Sequence, residues 1–359
     1  MTHPSLIHEN NWARTLSSIA SVVDVEETAR EHKAFQRPRG VRNASDQLRL
    51  ALAYGIGLSL RQGSAWAGTA DVAEVSNPAL LRRLSNSADW LEAIAKRLVE
   101  DAQAQPSGEW AGCRLRLVDA TSLSRPGAEG TTWRLHVSYD LSGRVDGLEL
   151  TDDKGAERLS RFPWRAGDVA IADRGYAKAA DLRAVVDAGA HLLVRTGWNA
   201  LRLLDASGQP FDLFDTLDAL DRAPASIPVQ VEIRERGRPL LPLRLVVDRL
   251  PEEQAEKARK KVRDKAAKSG KTLDPRSLRA AGFVMLLTNL PEQRSPRAVL
   301  DLYRLRWQIE LLFKRFKSLL DLGELPAKSR ELARTWIFAK LIVALLAEKA
   351  ARMAADSFP

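Results

Sequence analysis

The chain is poor in cysteine: Cys113 is the one thiol among 359 residues. A lone cysteine excludes an internal disulfide framework and suits a reducing compartment. Histidine is scarce too, with five scattered residues. Without partner cysteines they argue against a zinc site. Long apolar runs are missing. The longest, Trp336 to Leu346, is interrupted by Lys340 and falls short of the roughly 20 residues that a membrane-spanning helix needs. The N-terminus has no charged-then-apolar leader, and there are no internal repeats or low-complexity tracts. These absences point to a cytoplasmic protein with no membrane partner.

What is present is ordinary in bulk and uneven in charge. Hydrophobic residues make up 45% and charged residues 28%, as in soluble globular proteins, and the length allows two or three domains. The net charge is +9. Residues 1–105 carry 12 basic and 12 acidic residues, whereas 106–359 carry 43 basic and 34 acidic. A basic bias of this kind suits a polyanionic partner but does not establish one.

Residues 10–104 read as helical. Gln47 to Leu60 has apolar residues at helical spacing behind Ser45 as a candidate N-cap. Ser76-Asn77-Pro78 is a helix start, and Ser87 precedes a helix from Trp90 to Asp101. Pro106-Ser107-Gly108 is the expected linker. From Arg114 the pattern turns to strands: Leu115–Val118, Thr132–Tyr139, Leu148–Thr151, Val169–Ala172 and His191–Val194, with a helix over Ala177–Ala188. This alternation predicts an α/β fold with a mixed sheet. Residues 197–282 read as a β-rich insertion with strands at Val229–Arg234 and Leu243–Val247 and a charged helix over Pro251–Lys268. Its stretch from Lys257 to Lys271 holds eight bases and one acid, either a solvated face or a phosphate-contacting arm. Phe283–Thr288 returns to strand. Arg297–Leu320 reads as one long helix, and Glu331–Arg352 as the last.

Three acids stand where ligands are useful. Asp119 ends the strand Leu-Val-Asp, and Asp173 ends Val-Ala-Ile-Ala-Asp. Open α/β sheets place ligand sites at such carboxyl ends, although strand-end aspartates also cap turns. Within the predicted long helix, Tyr303, Arg306, Glu310, Lys314 and Lys317 fall within about 80° of arc, beside an apolar face. Two readings stand for Glu310: a helix-surface ion pair with Arg306 and Lys314, or an acid set among phosphate-binding bases.

Tyr303-x2-Arg306-x3-Glu310-x6-Lys317 resembles the YREK signature of bacterial insertion-sequence DDE transposases, the group named after insertion sequence four. Val118-Asp119-Ala120-Thr121 and Asp173-Arg174-Gly175-Tyr176 resemble the segments around that group's two catalytic aspartates. The spacing of 54 residues between the aspartates and 137 from Asp173 to Glu310 agrees with it. The similarity covers roughly residues 35–345. It implies a ribonuclease-H-like mixed sheet with flanking helices, interrupted by a β-rich insertion, plus an N-terminal helical domain. The implied organisation is a helical DNA-binding domain over 1–105, a catalytic core over 112–196 and 283–345, an insertion over 197–282, and a tail over 346–359. It also implies that Asp119, Asp173 and Glu310 hold two Mg²⁺ ions, with Mn²⁺ as a substitute, for cut-and-paste transposition. Paired hard cations of this kind stabilise the attacking and leaving oxygens of a phosphodiester together.

The implied partner is double-stranded DNA, both terminal inverted repeats and target, bound by a homodimer in a synaptic complex. Tyr303, Arg306, Lys314, Lys317 and Arg174 are the candidate phosphate contacts near the acids. Arg37, Arg39 and Arg42 around Pro38 and Gly40 form a second candidate DNA contact, and Arg82 and Arg83 on a helix-turn-helix-like unit a third. Some relatives flip a base during hairpin formation and stack it on a tryptophan. Val284 stands at that position here, with Phe283 beside it facing oppositely. His136 reads as structural, and Glu149, Asp152, Asp153 and Glu157 as exposed turn residues. Two rivals remain: a metal-dependent nuclease without strand transfer, and a DNA-binding regulator.

Overall fold

The computed structural model describes residues 9–100, 110, 112–124, 127, 132–220, 223–233, 237–270, 272–319, 321–322, 325–326 and 329–357. The expected linker at 106–108 lies outside the described residues. Two compact units emerge: one of Met1–Ala104, Ala120–Gly155 and Leu311–Pro359, and one of Gln105–Asp119 and Ala156–Glu310. Strand β1 (Arg114–Leu123) and helix α12 (Trp307–Leu319) each run through both.

The first unit is mostly helical. It holds α1 (Glu9–Ala20), α2 (Val25–Glu31), α3 (Ala44–Gly55), α4 (Leu60–Thr69), α5 (Asn77–Ser85), α6 (Ala88–Glu100) and α13 (Arg330–Ser357). The expected cap at Ser45 is corrected: Asn43, in an extended conformation, accepts a hydrogen bond from the Asp46 amide at 2.7 Å and starts α3 two residues earlier. The expected helix to Leu60 stops at Gly55, because Ser59 opens α4 with a reciprocal capping box to Gln62. Ser76 and Pro78 begin α5 as expected, though the Ser76 side chain makes no cap bond.

The apolar run Trp336 to Leu346 forms the core stripe of α13. Ile337, Phe338, Ala339 and Ile342 are fully buried there, as are Leu48 and Leu52 of α3 and Trp90 and Ile94 of α6. Lys340, which interrupts the run, lays its ammonium 4.6 Å from the Trp336 ring. Burial pulls its pKa below the usual lysine value. Arg334 ties α13 to α6 through Asp89 at 2.8 Å and Glu92 at 2.6 Å. A β-carbon on Gly55 would lie 2.6 Å from that of Ala339 and 3.1 Å from backbone atoms of α13. Gly55→Ala is therefore expected to destabilise the protein by roughly 1–2 kcal/mol, since overpacking outweighs the ~1 kcal/mol gain in helix propensity. Chemical denaturation reads the difference. The unit also contains the hairpin of β2 (Trp133–Asp140) and β3 (Arg144–Asp152). His136 is buried in it, its Nε2 3.0 Å from Thr151 Oγ1.

The second unit is built on a sheet. Its strands run in the order β1, β4 (Asp168–Ala172), β5 (His191–Arg195), β9 (Phe283–Thr288), β8 (Leu241–Arg249), β7 (Ala225–Val231) and β6 (Leu203–Leu204). With β2 and β3 the mixed sheet has nine strands. β1, β4 and β5 are parallel, whereas β5–β9, β9–β8, β8–β7, β7–β6 and β2–β3 pair antiparallel. Every residue of β4 is buried, which is why it reads as a continuous apolar run rather than an alternating one. Helices α7 (Ala179–Asp187), α8 (Leu213–Ala219), α9 (Glu252–Ser269), α10 (Pro275–Ala280) and α11 (Pro296–Arg304) complete the unit. Leu182, Val185, Leu192, Val194, Leu217, Leu245 and Leu287 belong to one core cluster. Residues 197–282 supply β6, β7 and β8, which extend the sheet beyond β9.

One buried ion network pins β1 to β4 at their N-terminal ends. Asp168 accepts two bonds from Arg114, at 2.8 and 2.9 Å, and one from Arg116 at 3.2 Å. Arg116 also donates to the Pro163 carbonyl at 2.6 Å and stacks 4.4 Å from the Trp164 ring. Arg114 and Asp168 are register partners, so the network fixes the alignment that continues to Val118 opposite Ala172.

The long helix expected over Arg297–Leu320 is corrected: it is two helices, α11 ending at Arg304 and α12 beginning at Trp307. Between them the amides of Leu305, Arg306, Gln308 and Ile309 each bond the carbonyl three residues back. Such a turn has three residues per revolution, so residues i and i+3 eclipse. Tyr303 and Arg306 are thereby stacked, the guanidinium 5.9 Å from the ring.

Candidate active site

The site lies where the parallel pairing of β1, β4 and β5 runs out. Asp173 follows the last residue of β4 and Arg195 ends β5, but the expectation that Asp119 ends its strand is corrected, because β1 continues through it to Leu123. Val118 pairs with Ala172, and Ala172 with Val194. The next residues are Asp119, Asp173 and Arg195, so they lie abreast with strands about 4.8 Å apart. Arg195 places its Nη1 3.9 Å from Asp173 Oδ1. Sequence reading missed Arg195. The rule that picked the two aspartates, a polar residue closing a buried parallel strand, applies equally to it.

The turn between α11 and α12 brings the other side chains to these acids. Tyr303 donates its hydroxyl to Asp173 Oδ1 at 3.2 Å. Arg306 reaches Asp119 Oδ2 through Nη1 at 3.4 Å and Glu310 Oε1 through Nη2 at 2.5 Å. All three predicted acids thus meet one tyrosine–arginine pair. Burial, reinforced by the negative charge of Asp173, pushes the Tyr303 pKa well above the tyrosine range, so the hydroxyl stays protonated and donates. Burial also opposes the Arg306 charge, but Tyr303, Asp173 and Glu310 outweigh it and raise its pKa. The Arg306 side chain is 16% exposed, against 58% for Glu310. Of the two readings left open for Glu310, the ion pair with Arg306 is present, and it lies inside the acid cluster rather than on a remote helix face.

The donor chemistry suits a hard divalent cation: aspartate carboxylates on the adjacent central strands β1 and β4, with a glutamate carboxylate held on the same guanidinium as Asp119. Among the described residues no group of three or more His, Cys, Asp or Glu side chains lies close enough to hold a metal ion. Arg306 takes the place between Asp119 and Glu310.

The remaining candidates divide. Lys314 and Lys317 follow Glu310 on α12 by four and seven residues, and both are exposed. They lie on its helical face. Arg174 is exposed in the turn directly after Asp173. Arg37, Arg39 and Arg82 are exposed. Arg42 is exposed as well, and pairs with Asp46 at 3.2 Å and Asp71 at 3.0 Å. Arg83 donates to the carbonyls of Arg37 and Arg39 at 3.2 and 2.6 Å and to Gln47 at 3.2 Å. These two arginines hold the loop around Gly40, whose left-handed φ of 72° and close approach to the Glu74 carbonyl admit no side chain.

Phe283 is buried beneath the Arg279 guanidinium, while Val284 is half-buried. Asp152 and Asp153 are exposed turn residues, but Glu149 and Glu157 are partly buried. Glu149 lies within β3 opposite His136. The Glu157 carboxylate fills the space that a β-carbon on Gly175 would need, 1.6 Å away. The exposure expected of those two is therefore corrected by packing. On α9, Lys257 pairs with Glu253, and Arg259 and Arg263 with Glu256. Lys260, Lys261, Lys265 and Lys268 are exposed. A separate cavity of about 730 Å³ is lined by Arg158, Lys178, Asn199, Arg202 and Glu232. Two of its cations are bound to acids, Arg158 to Asp181 at 2.7 Å and Arg202 to Glu232 at 2.8 Å.

The family model for the transposase DDE domain matches residues 110–346. The chain belongs to the DDE transposase family. It is 41% identical over 345 residues to the transposase for insertion sequence element IS421 of Escherichia coli, covering 94% of this chain and 93% of that protein. InsL, the transposase assigned to element IS186A of Escherichia coli strain K12, is also 41% identical, over 344 residues, with the same coverage. The transposase for element IS231F of Bacillus thuringiensis subsp. israelensis is 28% identical over 268 residues, 65% of this chain and 55% of that protein. DDE transposases are metal-dependent enzymes that cleave and join DNA, and Asp119, Asp173 and Glu310 all fall within the matched span. No helix among the described residues is long and apolar enough to cross a membrane.

Proposed function

We propose that this transposase moves its element by cut-and-paste chemistry, with Asp119, Asp173 and Glu310 as the metal-holding acids on a ribonuclease-H-like core. One observation carries the reading: a single Tyr303–Arg306 pair contacts all three acids, Asp119 on β1, Asp173 just after β4 and Glu310 on α12. Two Mg²⁺ ions, or Mn²⁺, would supply charge stabilisation to the attacking and leaving oxygens of the phosphodiester.

The protein's own residues do the rest. Asp119 and Asp173 present adjacent carboxylates, fixed by strand register, and Glu310 closes the set from α12. Tyr303 keeps its proton and orients Asp173. Arg174, Lys314 and Lys317 offer exposed cations to the DNA backbone, and Arg306 a planar fork that matches a phosphate. The first attack is by water, and the second by the freed DNA 3′-hydroxyl on target DNA. The helical region over 1–105 binds the element ends through Arg37, Arg39, Arg42 and Arg82, with Arg83 holding the Arg37 and Arg39 carbonyls from the neighbouring helix. The exposed lysines of α9, within the insertion over 197–282, add a further contact to the backbone. Two copies of the chain act together in the synaptic complex.

The test is incubation with a duplex carrying the element ends and a target plasmid, with Mg²⁺. Covalently joined products are the expected result. Free ends alone would identify a nuclease, and retention without cleavage a regulator. Excess EDTA is expected to abolish cleavage while leaving backbone binding measurable. That binding should weaken about 10³-fold or more between 50 and 200 mM salt if six or more phosphates are contacted. Fluorescence anisotropy at graded salt reads it.

A further inference from the structure

We infer that Arg306 is a resident cation of the carboxylate cluster, and that metal and DNA phosphate jointly displace it, so the site takes metal weakly until DNA is present. The inference rests on the reading of Asp119 and Glu310 as metal-holding acids.

The geometry is specific. One guanidinium contacts Asp119 and Glu310 with its two Nη atoms, at 3.4 and 2.5 Å. It is largely buried, at 16% side-chain exposure, so the attraction is screened less than at the surface. Two acids that must share a divalent ion are instead sharing a monovalent one. A cation entering between them meets the positive charge of Arg306 and competes for the same oxygens. No three-acid group open to an ion exists among the described residues.

Glu310, at 58% exposure, has few constraints of its own. Arg306 therefore holds it in place against Asp119 in the protein without metal. A guanidinium binds phosphate as readily as carboxylate, through the same planar fork. A DNA phosphate at the cluster can take Arg306 over and release both carboxylates. Arg195, 3.9 Å from Asp173, adds positive charge on the other side and remains there after Arg306 moves. Linkage then requires reciprocity: whatever factor DNA adds to metal affinity, metal adds to DNA affinity.

The experiment measures Mn²⁺ affinity of the DNA-free full chain by electron paramagnetic resonance. Arg306→Gln is expected to bind Mn²⁺ at least tenfold more tightly than the wild type, and Arg306→Lys to fall between them, because an ammonium is a single point that does not bridge two carboxylates as a fork does. Asp119→Asn should lose the site. In the same proteins, Mn²⁺ should tighten binding of a fluorescent duplex by the wild type, and do so less for Arg306→Gln.

Equal or weaker Mn²⁺ affinity in Arg306→Gln and Arg306→Lys overturns the inference while leaving the metal site intact. Mn²⁺ binding absent from every variant, or unchanged by Asp119→Asn, overturns the reading beneath it. Circular dichroism confirms that each variant is folded. If Arg306→Gln is not, Arg306→Lys decides alone, with the same expected direction.

Discussion

Glu310→Gln is expected to lower cleavage of a labelled duplex carrying the element ends by about 10³-fold or more, on the order of 4 kcal/mol in barrier height. The substitution preserves volume and removes one charge. Its structural cost is small, because Glu310 is 58% exposed and is held by an ion pair with Arg306. Exposed substitutions of this kind change stability by about 0.5 kcal/mol or less. Duplex binding should persist or tighten, since a negative charge leaves the path of the phosphates and Arg306 loses a competitor for them. Loss of cleavage with retained binding and an unchanged melting temperature separates a chemical role from a structural one. Cleavage at the wild-type rate would remove Glu310 from the site.

The second large effect lies at the opposite end of the same strands. Asp168→Ala is expected to destabilise the protein by about 3–5 kcal/mol. Asp168 and Arg116 are both about 1% exposed, and Arg114 is 13% exposed at its side chain. Removing the carboxylate strips both guanidiniums of their shared anion, while Pro163 and Trp164 continue to hold Arg116 in the interior. A buried charge without its counter-ion costs more than the lost hydrogen bonds. The register of β1 on β4 also loosens, and with it the alignment of Asp119 beside Asp173, five positions further along. Urea denaturation should show a lower midpoint. Asp168→Asn, which keeps an acceptor in place, should lose less. A midpoint unchanged in Asp168→Ala would mean that the network contributes nothing net.

These two predictions differ in how visible their residues are in the sequence. Asp119 and Asp173 are legible because each carboxylate closes an apolar run, although β1 itself continues past Asp119 to Leu123. Glu310 is legible through its spacing from Tyr303, Arg306 and Lys317. Asp168 looks like any residue that starts a strand. Its importance depends on Arg114 and Arg116, about fifty positions away, converging on it. Arg195 escaped attention for a related reason. A strand end gains meaning only once its neighbours in the sheet are known, and strand order is a non-local property.

The helix carrying the signature shows how local rules err and why the site survived the error. A continuous 3.6-residue period was expected, but bonds to the carbonyl three residues back tighten the chain at Leu305 and Arg306. The wheel was wrong by part of a turn in the direction that brings Tyr303 and Arg306 closer together. Arg42 and Arg83 have partners that their own segments do not show. Arg42 stays 57% exposed at its side chain while pairing with Asp46 and Asp71, and Arg83 is half-buried against loop carbonyls. A sequence displays charge without displaying the partner that consumes it.

The sequence by itself determined the aspartates that close apolar runs, the Tyr-Arg-Glu-Lys spacing, the α/β alternation and the family resemblance, all properties of short segments whose side-chain chemistry is local. Only the tertiary structure decided that Asp119, Asp173 and Arg195 stand abreast, that Arg306 sits between two of the three acids, and that Asp168 locks the strands beneath them. Those facts depend on register and on electrostatic pairing between residues distant in the chain, and no segment contains its own partner.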